Sequence, residues 1–259
     1  MAPPTLGLIL AGGLARRMGG GDKTLLRLNG RTLLDRVVER LKPQCGAGLV
    51  LSANGDPGRF AGFDGPVLPD GIPGNPGPLA GILAALDFAG DHHDRHRTSN
   101  TYAHPELRSE AEPPRRSPGI TDTSEARLRG PLMRASRAEE ECGMSHVVSV
   151  SGDAPFIPRD LVERLHAALD AGDPRIALAA SEKQHYTVAL WPVALRHDLR
   201  AALVERDERR VGAFIARHGA VVVPWPAAPF DPFLNINEPA DLAAAEAVLA
   251  DPGKAALLR

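Results

Sequence analysis

The 259-residue chain has two cysteines, Cys45 and Cys142, far apart and in no metal-type spacing. That leaves no disulfide framework and suits a reducing compartment. An excess of one charge is also missing. With 30 basic and 32 acidic side chains the net charge is −2, which argues against a dedicated nucleic-acid binder. No apolar run approaches the roughly 18 to 20 residues of a membrane span. Glycines break the first apolar run before it reaches the length of a secretion signal. No solenoid-type repeat recurs. What remains is 43% apolar and long enough for one large domain or two small ones. The expectation is a cytoplasmic protein with neither nucleic acid nor membrane as a partner.

Against these absences stands a regular alternation of short apolar runs and amphipathic stretches. Residues 5–10 (TLGLIL) predict a buried strand, and 32–42 (TLLDRVVERLK) a helix. In that helix Leu33, Leu34, Val37, Val38 and Leu41 share one face. Thr32 suits its cap, and Pro43 and Gly46 its end. Residues 48–53 predict the next strand, and a short strand near 65–68 precedes a helix from about Leu79 to Phe88. Strand 146–153, helix 158–169, strands 175–180 and 186–191, helices 194–204 and 209–217, strand 220–224 and helix 238–249 complete the pattern. Pro158 is expected in the first turn of its helix. This order is that of an α/β fold with a parallel sheet.

Residues 91–145 break the alternation. They are rich in Arg, Glu, Ser, Pro and His, and bury too little to offset the entropy of ordering. An exposed, largely disordered insertion is expected there, between the two parts (1–90 and 146–259) of a single domain, with a helix over about 124–142 as an option. His92, His93 and His96 in "DHHDRH" are a metal-binding pattern, weakened by the scarcity of ordering contacts around them.

The densest chemistry lies in "LILAGGLARRMGGGDKTLL", Leu8 to Leu26. A Walker loop needs glycine before its lysine, and here Asp22 precedes Lys23. The dinucleotide fingerprint fails because Thr24 stands where its third glycine belongs. Yet Gly12, Gly13 and Gly19–Gly21 let backbone amides approach an anion, and Arg16, Arg17 and Lys23 add positive charge. The loop leaves the carboxyl end of a buried strand, where α/β sheets bind ligands. A phosphate site follows from this combination more readily than a solvated surface loop.

The run "LILAGGLARRMGGGDKTLLRLNGRTLLDRV" resembles the signature of nucleotidyltransferases with a Leu-Ala-Gly-Gly loop. Among them it is most similar to the molybdenum cofactor guanylyltransferases of the MobA type. The resemblance implies a three-layer Rossmann-like fold, with a mostly parallel central sheet and helices on both faces. It implies GTP as substrate, Mg²⁺ as cofactor, and molybdopterin or molybdenum-loaded molybdopterin as acceptor. Other molybdenum cofactor biosynthesis proteins, recipient molybdoenzymes and their chaperones are the further partners it suggests. The insertion is then roughly 45 to 50 residues longer than the short connection the family uses.

By the same resemblance, Leu10, Ala11, Gly12, Gly13, Lys23, Ser52, Asp70 and Asp153 bind the nucleotide, and Lys23, Arg17 and Asp153 carry catalysis. Asp153 in "SVSGDAPFIPRDLVERL" holds the metal, although the residue alone equally suits a turn or cap before Pro155. Asp70 lies in "VLPDGIPGNPGPLAGI", where Gly77 and Gly81 allow close backbone approach at a helix start. Ser52 stands where the family often has a nucleotide-contacting Asn, and Asn54 matches the second Asn of that turn. His185, Arg209, Arg210, Asn235 and Asn237 are the acceptor-side candidates. The bland alternatives are a satisfied histidine with Tyr186 replacing the family's proline, a solvated basic turn, and a helix N-cap at Asn237.

In-line attack on the α-phosphorus needs positioning and charge neutralisation, not a protein nucleophile. The alternatives to guanylyl transfer are a cytidylyltransferase on the same cofactor, a sugar-phosphate nucleotidyltransferase, and a non-catalytic nucleotide-binding cofactor carrier.

Overall fold

Thr5–Leu10 forms strand β1. Leu6 and Leu8 point to one side of it and Ile9 to the other, so both faces must be covered. The computed structural model describes residues 3–12, 21–74, 77–101 and 144–258, and of 93–101 the backbone alone. After β1 come a small hairpin of β2 (Arg27–Leu28) and β3 (Arg31–Thr32), helix α1 (Leu33–Leu41), β4 (Leu49–Ser52), β5 (Val67–Leu68) and α2 (Pro78–Thr101). The second half runs β6 (His146–Ser151), α3 (Leu161–Ala167), β7 (Ile176–Ala180), β8 (Gln184–Pro192), α4 (Arg196–Val204), α5 (Val211–His218), β9 (Ala220–Pro224), α6 (Pro239–Ala250) and α7 (Pro252–Leu257).

The main sheet has the order β5-β4-β1-β6-β8-β7-β9. β8 is antiparallel to both its neighbours, and every other pairing is parallel. Six strands therefore end on one edge, and the loops after β1, β4, β5 and β6 meet there. One face packs on α1 and α3 through Leu34, Val37, Leu161 and Leu165. The other packs on α2, α4 and α5 through Leu79, Leu83, Leu199 and Phe214. This is the expected three-layer, mostly parallel α/β fold. Among the described residues no helix is long and apolar enough to cross a membrane.

A smaller third cluster joins Leu28, Leu33, Phe156, Ile236, Ala245 and Val248. It docks the hairpin and α6 beside the sheet edge. The hairpin turns on Asn29 (φ 48°) and Gly30 (φ 80°), the positive-φ pair that a two-residue turn of this hand requires. Asn-Gly is the sequence signal for it, and the pattern of apolar runs passed it over. Helix α1 begins as expected: Thr32 Oγ1 accepts from the Asp35 amide, and the Asp35 carboxylate accepts from the Thr32 amide.

Several boundaries differ from the sequence expectation. α2 does not stop at Phe88 but continues to Thr101, so the helical part of the chain extends into the 91–145 segment. Tertiary contact supports its passage through Gly90. Asp87 pairs with Arg200 at 2.6 Å and Asp91 with Arg196 at 3.9 Å, both on α4. The expected helix over 124–142 lies outside the described residues. α3 starts at Leu161, and Pro158 is not in its first turn. The preceding carbonyls are engaged elsewhere: Arg40 Nε donates to Ile157 O at 2.5 Å and Gln44 Nε2 to Pro158 O at 2.9 Å. Arg209 and Arg210 precede α5 instead of opening it. The N-cap of α6 is Glu238, in a capping box with Asp241, and not Asn237.

At the opposite edge of the sheet two histidines meet. The rings of His146 and His166 pack edge to face with centroids 5.1 Å apart. The Thr5 hydroxyl donates to Pro3 O at 2.8 Å and accepts from His166 Nε2 at 2.7 Å. Burial, and then the charge of His146, push His166 down to about 4, and burial also lowers His146. The folded values lie below the ordinary 6.5, so acid protonates the unfolded chain first. Stability should therefore fall as pH drops from about 6.5 toward 4 and level off above that window. Urea midpoints measured across it should show the slope, and His166→Gln should reduce it.

Candidate active site

The strand ends define the site. Beyond β1 the Ala11 amide donates to Ser52 O at 2.9 Å, and the Gly152 amide donates to Leu10 O at 3.0 Å. The chains then diverge, leaving a cleft lined by Leu10, Gly12, Lys23, Ser52, Asp70 and Asp153, with Asn54, Gly81, Ser151 and Thr187 among the other wall residues. Gly81 is required by close approach: a Cβ there would lie 2.3 Å from Ser52 Oγ and 2.9 Å from Leu10 Cδ2. The absence of a side chain lets the start of α2 close over the ends of β1 and β4.

Lys23 and Asp153 form an ion pair at the centre, each 12% exposed. Such a pair is stable only if the remaining hydrogen-bonding capacity is met. Here Lys23 Nζ also donates to Asn237 Oδ1 at 2.5 Å, and Ser151 Oγ donates to Asp153 Oδ1 at 2.5 Å. Lys23 is carried on a short 3₁₀ turn, Lys23–Leu25. Beside it Thr24 is buried, and its hydroxyl has no hydrogen-bond partner among the described residues.

Asn237 reaches this centre through its neighbour. Ile236 is wholly buried in the third cluster, and its amide donates to Asp153 O at 3.0 Å. That anchors the Asn-Ile-Asn segment against the Asp153 turn. The expected acceptor contact Asn237 is therefore a direct neighbour of the lysine. Asn235 stays next to it, its carbonyl accepting from Asn237 Nδ2 at 3.4 Å.

The nucleotide-binding candidates Ser52 and Asp70 lie at the ends of β4 and β5. Asn54 Nδ2 donates to Asp70 Oδ2 at 2.7 Å, and the Asp70 amide donates to Asn54 Oδ1 at 2.9 Å. Arg59, which the sequence reading did not single out, bonds Asp22 and the Asn54 carbonyl. Gly13, Arg16 and Arg17 fall in 13–20, outside the described residues.

His185 does not line the cleft. It is buried, bonded to Ser181 Oγ at 2.7 Å and packed on Phe233 with centroids 4.7 Å apart. Burial lowers its pKa, against the opposing pull of Asp231. Thr187, two residues along β8, is the wall residue instead. Arg209 bonds Asp207 Oδ1 at 2.8 Å and approaches Gly74 O at 3.5 Å, so it lies against the 70–77 loop. Arg210 occupies the N-cap position of α5. Of the three histidines in "DHHDRH", His92 bonds Phe88 O at 2.7 Å, and the side chains of the other two are outside the description. Among the described residues no three His, Cys, Asp or Glu side chains gather as a metal cage.

Among the described residues the Lys23 ammonium, the Asp153 and Asp70 carboxylates and a strand end with Gly12 thus share an edge, with polar groups on both sides of it. This arrangement can hold a polyphosphate across the sheet and leave a carboxylate free to share a divalent cation with it.

Known proteins are similar to this chain in sequence and in fold. A curated molybdenum cofactor guanylyltransferase of Nitrobacter hamburgensis is 41% identical over 252 residues, covering 97% of each chain. One from Bradyrhizobium sp. is 45% identical over 245 residues, covering 94% of this chain and 92% of its own. Among solved structures, the molybdopterin-guanine dinucleotide biosynthesis protein A of Archaeoglobus fulgidus aligns with a TM-score of 0.58 at 19% identity, covering 95% and 99% of the two chains. The 4-diphosphocytidyl-2C-methyl-D-erythritol synthase of Anaerococcus prevotii aligns with a TM-score of 0.54 at 11% identity, covering 96% and 97%. At such identities the structures speak for the fold. Residues 7–222 match the family model described as the MobA-like NTP transferase domain, and the chain belongs to that family.

Proposed function

We propose that this chain transfers GMP from GTP to the terminal phosphate of molybdopterin, in its free or molybdenum-loaded form, and releases diphosphate. The observation that carries this reading is the Lys23–Asp153 pair at the sheet edge, in a cleft whose other polar lining includes Ser52, Asn54 and Asp70 on one flank and Ser151 and Thr187 on the other. Relatives named molybdenum cofactor guanylyltransferase at 39–45% identity support the guanine and the acceptor.

We assign the flanks with the strand order as support. β4 and β5 carry Ser52, Asn54 and Asp70 to one side of β1 and β6, and this is the nucleoside side. β8 carries Thr187 to the other, and this is the acceptor side, with Arg209 and Arg210 beyond it. The triphosphate lies between them over Gly12 and Lys23; Ala11, Gly13 and Arg17 are assigned to its cradle from the sequence resemblance alone. An oxygen of the acceptor's terminal phosphate forms the new bond to the α-phosphorus. The bond from that phosphorus to the bridging oxygen breaks, and the electron pair leaves with diphosphate. Lys23 stabilises the negative charge that builds on the transferring group.

Asp153 fits Mg²⁺. This ion takes one or two carboxylates and fills its remaining positions with substrate phosphates and water. A carboxylate at a phosphate cradle is that donor set, whereas a self-contained cage would need more ligands than gather among the described residues. Bound there, Mg²⁺ would supply charge neutralisation to the triphosphate.

The test is a conversion assay with purified protein, Mg²⁺, molybdenum-loaded molybdopterin and each nucleotide in turn. Guanine dinucleotide formation from GTP is expected. Preference for CTP would make the chain a cytidylyltransferase, and turnover of sugar 1-phosphates would move it to another acceptor class. Absence of Mg²⁺-dependent diphosphate release would leave a binding protein.

A further inference from the structure

We infer that Arg59 is a positioning residue that ties the lysine-bearing phosphate loop to the nucleobase side of the cleft. The inference rests on the nucleotide-transfer reading above. Arg59 sits on the 3₁₀ turn Pro57–Phe60, just beyond β4. Its Nη1 donates to both carboxylate oxygens of Asp22, at 2.7 and 2.9 Å. Its Nη2 donates to Asn54 O at 2.5 Å, and its Nε to Asp56 O at 2.9 Å. The guanidinium also lies 5.1 Å from the Phe60 ring centre.

Both ends of this contact matter. Asp22 immediately precedes Lys23, and its side chain is only 11% exposed. Asn54 in turn holds Asp70 through two hydrogen bonds. One side chain therefore closes a continuous path, Lys23–Asp22–Arg59–Asn54–Asp70, around the nucleotide flank of the cleft. Gly55 makes the path possible: its φ of +87° reverses the chain so that Arg59 returns over Asn54. The role of the aspartate before the lysine follows. A Walker loop uses glycine at that place, and here the carboxylate is the anchor by which Arg59 holds the loop.

Lysine cannot substitute. A single ammonium has no planar fork to meet two carboxylate oxygens and a carbonyl together. Loosening the loop would misplace Lys23 relative to the phosphate, and a displacement of about 1 Å at a reacting centre costs on the order of a hundredfold in rate. Arg59 is not among the residues that line the cleft.

The experiment compares wild-type protein with Arg59→Lys, Arg59→Ala, Asp22→Asn and the double variant Asp22→Asn/Arg59→Ala. Four quantities are measured: kcat for GMP transfer, acceptor KM, affinity for a fluorescent guanine nucleotide, and melting temperature. Each Arg59 variant should lose about tenfold or more in kcat and about threefold or more in nucleotide affinity, with acceptor KM within about twofold. The double variant should be no worse than the worse single one, because both changes break the same link. Full rescue by lysine, kcat of Arg59→Ala within about twofold of wild type, or losses that multiply in the double variant would each overturn the inference. So would unfolding of every variant, since the pair would then be holding the fold and not the cleft. Nucleotide affinity is read without transfer, so a wild-type protein that binds GTP but moves no GMP would overturn the function and leave this link testable.

Discussion

Lys23→Ala should lower GMP transfer by about a hundred- to a thousandfold or more, the range lost when one preorganised donor to a transition-state charge is removed. The protein should remain folded. The turn that carries Lys23 is held by backbone bonds, Leu25 N to Asp22 O at 3.1 Å and Leu26 N to Lys23 O at 3.2 Å, and by burial of Thr24. None of these needs the lysine side chain. The stability cost should fall between the surface-pair range of about 0–1 kcal/mol and the roughly 3–5 kcal/mol of a broken buried pair. Lys23→Arg should also be poor, because a planar guanidinium replaces a compact ammonium seated between Asp153 and Asn237. Rapid-quench measurement of one turnover, beside a thermal melt, separates rate from folding. Near-normal turnover in a folded Lys23→Ala protein would remove the lysine from the mechanism and with it the reading of the loop.

The parts of this site that were legible in the sequence are those written within a few residues. Apolar runs at β1, β4 and β6 placed the strand ends, and glycines with Lys23 marked the anion cradle. Thr32 located the start of α1. The rest depends on contacts between distant segments. Asn237 lies 214 residues from Lys23, and it arrives only because Ile236 is buried and bonded to the Asp153 backbone. Arg59 sits in a turn whose sequence advertises nothing beyond Pro and Gly, and its partner Asp22 is 37 residues away. His185 was an acceptor-side candidate because "QHYTVAL" resembles the family's His-Pro-Thr turn, with Tyr186 in place of proline. The pairing of β7 with β8 shifts register between Leu178 and Ala180, and the His185 ring packs with Ser181 and Phe233 instead. The early end given to α2 has the same cause. Gly90 looks like a stop in isolation, yet Asp87 and Asp91 meet arginines of α4 across it.

Asp153→Asn should abolish Mg²⁺-dependent turnover, with a loss on the order of a thousandfold, while changing the fold less than any other substitution at the cleft. The amide is nearly isosteric. The Ile236 amide bonds the backbone carbonyl of residue 153, which the substitution does not alter. An amide oxygen can still accept from Ser151 Oγ, now 2.5 Å from the carboxylate. What disappears is the negative charge, and with it both the ion pair to Lys23 and the carboxylate ligand beside it. Charge neutralisation by a bound divalent ion is worth several kcal/mol in phosphoryl and nucleotidyl chemistry, and each 1.36 kcal/mol is about tenfold in rate. The two lost functions are separable. If Asp153 serves the metal, GTP affinity should respond to Mg²⁺ in the wild type and lose that response in Asp153→Asn. If it serves only to seat Lys23, the Mg²⁺ response should persist while turnover falls. Nucleotide titrations with and without Mg²⁺ distinguish these cases without any acceptor present. Retention of the full Mg²⁺ response in the variant would move the metal to other ligands.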